Sequence, residues 1–239
     1  MTLMSNFLYK KQYKINDSIK IVIPSVGEIF DNEDDYYSVI TVLTAMPIDF
    51  MVLLDDIGID YTEINEYDLF LKMFWSLKKQ DTHLIFGDLQ LDNFEIYTDY
   101  TSKENVLYDA KNDIVINKAI HAQIAEVLRK IHHLKKNQRK PANKEAKEYM
   151  LKRARIKAKR NQTRKQESQL EPLIVAMVNT EQYKYNFDET RNLSIYQFNE
   201  SVRQIVKKVD YDNRMYGIYT GTISADKLSQ EDLNWLTHK

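Results

Sequence analysis

The sequence predicts an α+β protein, with a small mixed α/β N-terminal part followed by a predominantly α-helical C-terminal part. Two observations carry that reading. Short β-branched runs joined by turn residues sit near the start and again near residue 110, and apolar stripes at helical spacing dominate from Asn117 onward. The expected organisation is 1–115 as a mixed α/β domain, 116–167 as long helices including a basic one, and 168–239 as a helical region.

The first segment reads as two strands, "FLYKKQYKI" and "SIKIVIP", with Asn16-Asp17 as the turn and Pro24 closing the pattern. "DDYYSVITVLTAM" and "PIDFMVLLDDIG" then read as short helices, Pro47 in a first turn and Gly58 as a C-terminal stop. A longer helix capped by Thr62 places Leu69, Phe70, Met73, Phe74 and Leu77 on one face. "THLIFGDLQLDNFEIYTDY" and "NVLYDAKNDIVI" return to strand patterning, with a hairpin turn at "DAKND".

From Asn117, the stripe Ile120, Ile124, Val127, Leu128, Ile131 and Leu134 predicts a helix ended by Pro141. The next helix is polar nearly all round; its only stripe is Ala146, Met150, Ala154 and Ala158, so it should be poorly buried. Ser168 with Glu171 reads as a capping box before the apolar helix "LIVAMV". Ser194 opens a long amphipathic helix through Ile195, Phe198, Val202, Ile205, Val206 and Val209, which "GIYTGT" interrupts. Ser229 and Asp232 then start a last short helix carrying Leu233, Trp235 and Leu236.

A net charge of −1 conceals a strong asymmetry. Residues 129–165 hold 16 Lys or Arg against two acids, whereas residues 1–113 hold 21 acids against 9 Lys. The two portions should attract each other, or the opposite portions of neighbours. The absence of Cys removes disulfides and thiolate chemistry. No apolar run of about 18 residues predicts a membrane span, and the first residues lack a signal-peptide pattern.

Motifs for chemistry are few. His121 lies about three helical turns before His132-His133, too far to share an ion, so no metal site is expected. The acids at 31–35 and at Asp55, Asp56 and Asp60 lack Ca²⁺-loop spacing; the first group suits a helix N-terminus instead. No phosphate-cradling glycine loop, G-x-S-x-G or H-E-x-x-H occurs. The expectation is a non-enzymatic protein with no cofactor. Sixteen Tyr suit half-buried core edges and surfaces later covered by a partner. The basic run offers no stacking aromatic between Leu151 and Gln166, so docking on acidic protein is favoured over nucleic acid.

The stretch "LSIYQFNESVRQIVKKVDYDNRMYGIYTGTISADKLSQEDLNWL" resembles proteins encoded in the tail-assembly modules of phages and prophages of low-GC bacteria. "IKIVIPSVGEIFDNEDDYYSVITVLTAMPIDFMVLL" and "SQLEPLIVAMVNTEQYKYNF" share the resemblance. It implies a tail-assembly chaperone that keeps the tape-measure protein soluble in the host cytoplasm. The alternatives are a permanent virion subunit such as a baseplate or tail connector, and a DNA-binding accessory using the basic helix. Expected partners are other tail proteins, either the tape measure or neighbouring subunits, with self-association as a further expectation. The candidate contact residues are Lys152, Arg153, Arg155, Lys157, Lys159, Arg160, Arg164, Ile195, Phe198 and Val202.

Overall fold

The computed structural model describes residues 7–100, 102–162, 167–229 and 233–236. Strands β1 (Gln12–Lys14) and β2 (Lys20–Val22) pair antiparallel, with Tyr13 opposite Ile21. Asn16 Oδ1 closes the turn between them by accepting from the N–H groups of Ser18 at 3.0 Å and Ile19 at 2.7 Å. Past Pro24, Ser25 caps the short helix α1 (Val26–Phe30) in a reciprocal capping box with Glu28.

Helix α2 (Glu33–Thr44) carries Glu33, Asp34 and Asp35 in its first turn, where acids oppose the positive end of the helix dipole. A 3₁₀ turn at Pro47–Phe50 leads into α3 (Met51–Asp56), and Gly58 with φ +73° ends it as expected. Helix α4 (Glu66–Leu77) starts later than the sequence suggested. Asn65 is the cap, its Oδ1 accepting from the N–H groups of Tyr67 and Asp68, while the Thr62 hydroxyl donates to Asp60. The apolar face is as expected: Leu69, Phe70, Phe74 and Leu77 are buried and Met73 is half-buried.

Residues 82–94 differ from the strand reading. His83–Phe86 make one helical turn, α5, and Gly87 at φ +61° redirects the chain. A four-residue apolar run is too short to display a 3.6-residue period, so its letters alone resemble a buried strand. Strands β3 (Glu95–Thr98), β4 (Asn105–Asp109) and β5 (Ile114–Ile116) form an antiparallel meander in that order. Its second turn is "DAKND", where Asp109 Oδ1 accepts from Lys111 N–H at 2.9 Å.

Asn117 caps helix α6 (Lys118–Ile131), which buries Ile124, Val127, Leu128 and Ile131. The helix stops well before Pro141. His133 takes φ +54° and Leu134 N–H bonds back to Arg129 C=O at 2.9 Å, a Schellman-type end built without glycine. Leu134 is consequently exposed. Helices α7 (Lys144–Gln162), α8 (Leu170–Val178), α9 (Phe187–Asn192) and α10 (Ile195–Tyr219) follow. Ser168 Oγ accepts from Glu171 N–H, one half of the expected capping box; the Glu33 carboxylate, from α2, accepts from the Ser168 hydroxyl and from the N–H groups of Gln169 and Leu170. Helix α10 runs through Gly217, against which Ile223 packs, and ends before Gly221 at φ +70°. Asp232, half of the expected final cap, lies outside the described residues.

One apolar cluster runs from Phe7 through the buried faces of β2, α2, α4 and α6 to Ile195 and Phe198. The C-terminal half is sewn to the N-terminal hairpin by Val26 N–H to Leu193 C=O at 2.9 Å and Ile195 N–H to Pro24 C=O at 2.8 Å. A smaller cluster of Ala45, Ile48, Leu54, Tyr61 and Leu69 takes Met150 of α7 against it. No described helix is long and apolar enough to cross a membrane.

Candidate functional site: the basic helix and the free end of the long helix

Among the described side chains of α7 none is fully buried, in line with its thin stripe. Ala146, Met150, Ala154 and Ala158 are half-buried on the side facing the body. What holds that side is charge. Arg155 Nη2 lies 2.5 Å from Asp55 Oδ2 and 2.6 Å from Asp56 Oδ1, and Lys147 pairs with Asp60 while sitting over the Tyr61 ring. Hydrogen bonds from Lys147 and then from Thr62 hold the Asp60 carboxyl down at about 2. The same contact with Asp60 raises Lys147, and Asp55 followed by Asp56 raises Arg155.

The acids that failed as a Ca²⁺ loop therefore form the berth of the basic helix. Lys152, Arg153, Lys157, Lys159 and Arg160 are exposed, and Arg153 lies over the Tyr149 ring at 5.8 Å. Arg164 lies outside the described residues. Arg155 pairs with Asp55 and Asp56 of the same chain, so much of it is spent on holding α7.

The α10 candidates divide. Ile195 and Phe198 are core residues at 0 % exposure, so they anchor the helix and present no surface for a partner. Val202 is half-buried against the same core. At 100° per residue, Val206, Val209 and Tyr216 continue the stripe of Ile195, Phe198 and Val202. There the body ends: Val206 is 61 % and Tyr216 72 % exposed. Segment 233–236 returns along the opposite side, with Gln204 Nε2 donating to Trp235 C=O at 3.0 Å and Lys208 Nζ 5.6 Å from the Trp235 ring. Sequence reasoning stopped at Val202 among its candidates because periodicity gives the stripe but not the point where the core runs out.

The histidines occupy separate packing roles. His132 Nε2 meets Tyr36 Oη at 2.9 Å, His133 stacks on Tyr196, and His121 stacks on Phe70 at 4.2 Å. Burial, then the neighbouring His133, pushes His132 down to about 4. Among the described residues no three His, Cys, Asp or Glu side chains gather as a metal-ligand group.

Behind this surface lies a buried ionic clamp. Arg129 Nη2 donates to Thr44 C=O at 2.6 Å, at the end of α2, and to Glu66 at the start of α4; Lys136 Nζ reaches the other Glu66 oxygen at 2.6 Å. Burial pushes the Glu66 carboxyl up, but the hydrogen bonds from Lys136 and Arg129 outweigh it and leave the carboxyl lowered.

Residues 159–239 match the family model described as the YomV second domain, a phage- and prophage-associated family. The matched stretch takes in the end of α7, all of α8, α9 and α10, and the returning segment 233–236. The C-terminal third of the chain is thus similar to a phage-associated domain. No curated protein and no solved structure matches the chain.

Proposed function

We propose that this chain is a non-enzymatic assembly protein of a phage or prophage, a tail-assembly chaperone that binds a helical segment of the tape-measure protein. The observation that carries this reading is the α10 stripe, buried at Ile195 and Phe198, largely exposed at Val206 and Tyr216 and partly exposed at Val209. A helix firmly rooted at one end and apolar at the other suits pairing with an amphipathic helix. The exposed cations Lys152, Arg153, Lys157 and Lys159 on α7 suit acidic flanks of such a partner, giving orientation and on-rate more than affinity. The similarity of residues 159–239 to a phage-associated domain supports the setting.

The test is co-expression with the tape-measure protein of the same phage, followed by size-exclusion chromatography. The reading expects a soluble complex that the Val206→Asp/Val209→Asp variant does not form while remaining folded. Absence of a complex with the unaltered chain would refute it.

A further inference from the structure

A cleft of about 990 Å³ opens beside the clamp, between the start of α4, the start of α6 and the non-helical segment leading into α7. Its volume lies at the upper end of the range of small-molecule sites. Its rim is strongly cationic. Lys136 and Lys147 are engaged by Glu66 and Asp60, but Lys118, Arg139, Lys140 and Lys144 also line it and have no ion-pair partner among the described residues. One wall is apolar, formed by Met46, Pro47, Ile48 and Ile64.

Two further lining residues are buried and incompletely satisfied. Tyr61 is 5 % and His121 2 % exposed, and neither Tyr61 Oη nor His121 Nε2 has a hydrogen-bond partner among the described residues. Buried polar atoms of this kind are costly unless something pairs them. Burial above all holds His121 down at about 4, so its ring is neutral at pH 7. A neutral imidazole keeps one donor nitrogen and one acceptor nitrogen, so Nε2 has an unmet hydrogen bond of one kind or the other.

We propose that this cleft binds a nucleotide, with Lys118, Arg139, Lys140 and Lys144 taking the phosphates and the apolar wall taking the base. Tyr61 Oη and His121 Nε2 then bond the polar edge of the base or the sugar hydroxyls. Inorganic polyphosphate would satisfy the rim alone, and an apolar ligand the wall alone; a nucleotide serves rim, wall and both unpaired atoms together. The nucleotide is either free or part of a nucleic-acid strand, since both present the same chemistry. The inference is independent of the tape-measure reading.

The test is calorimetric titration of the full chain with ATP, with sodium tripolyphosphate and with a short single-stranded oligonucleotide. ATP should bind, and Lys118→Gln/Lys140→Gln/Lys144→Gln should weaken it by about tenfold or more. Tyr61→Phe, which removes only the hydroxyl, should weaken ATP by about fivefold while the unliganded protein melts no lower than the parent. An oligonucleotide that binds and is displaced by ATP supports the site and identifies a strand as the source; ATP binding without it identifies the free nucleotide. The proposal is overturned if neither ATP nor the oligonucleotide binds, if tripolyphosphate binds as tightly as ATP, or if Tyr61→Phe leaves ATP affinity unchanged.

Discussion

The Arg155 guanidinium sits 2.5 Å from the Asp55 carboxylate, joining two positions a hundred residues apart. The most basic helix of the chain therefore rests on its own acids. Such half-exposed pairs are individually weak and screened by salt. Docking of α7 should accordingly be the most salt-sensitive part of the fold. In Asp55→Asn/Asp56→Asn, trypsin should cut within residues 152–160 faster than in the parent by roughly threefold or more, with little change in melting temperature. Raising salt to about 1 M should bring the parent toward the variant.

Asp60 gives that contact a pH signature. Its carboxyl is lowered to about 2 from an ordinary 3.8. A carboxyl depressed by folding contributes stability that is present above the unfolded value and lost as pH falls through the folded one. The Lys147–Asp60 contribution should therefore be intact above about pH 4 and fade toward pH 2. Carbon-detected NMR should follow Asp60 titrating near 2 in the parent and moving up in Lys147→Met, stopping short of 3.8 because both Thr62 hydrogen bonds remain.

The clamp at Arg129 should behave oppositely, as a global rather than a local support. Its side chain is 10 % exposed and joins α2, α4 and α6. Removing Arg129 leaves the mostly buried Glu66 carboxylate with the more exposed Lys136 as its cation and takes the Arg129 donor from the Thr44 carbonyl. Urea unfolding of Arg129→Met should show a loss of about 3–5 kcal/mol.

Along α10, position should decide outcome. Phe198→Ala should cost about 3–5 kcal/mol in urea unfolding, because the ring is fully buried and edge-on to Tyr183. Val206→Asp should change stability by no more than about 0.5 kcal/mol, since that side chain is largely exposed. The same pair of residues thus separates anchoring from partner contact on one helix.

Much of this was legible in the sequence where signals are local. The Asn16 turn, the Pro47 and Gly58 punctuation, the Ser194 cap and the stripes of α4 and α6 all follow from periodicity and turn chemistry. Short elements were not legible: α5 is a single turn, and α1 is five residues hidden behind a proline. The end of α6 was misplaced because His133 adopts a left-handed conformation that sequence rules reserve for glycine or asparagine. Tertiary pairings were beyond reach. The charge asymmetry predicted attraction between the acidic and basic portions, but not that Asp55, Asp56 and Asp60 would hold α7, nor that Glu33 would cap α8. The cleft gave no sign either, because its lining comes from four separate stretches of chain.

The central claim is that this protein serves assembly by binding a partner and then leaving it. It is tested most directly by quantitative mass spectrometry of purified mature particles against lysate from the same infection. The account predicts a protein abundant in lysate and missing from particles. A fixed copy number in the particles would contradict it and make α10 a permanent subunit interface.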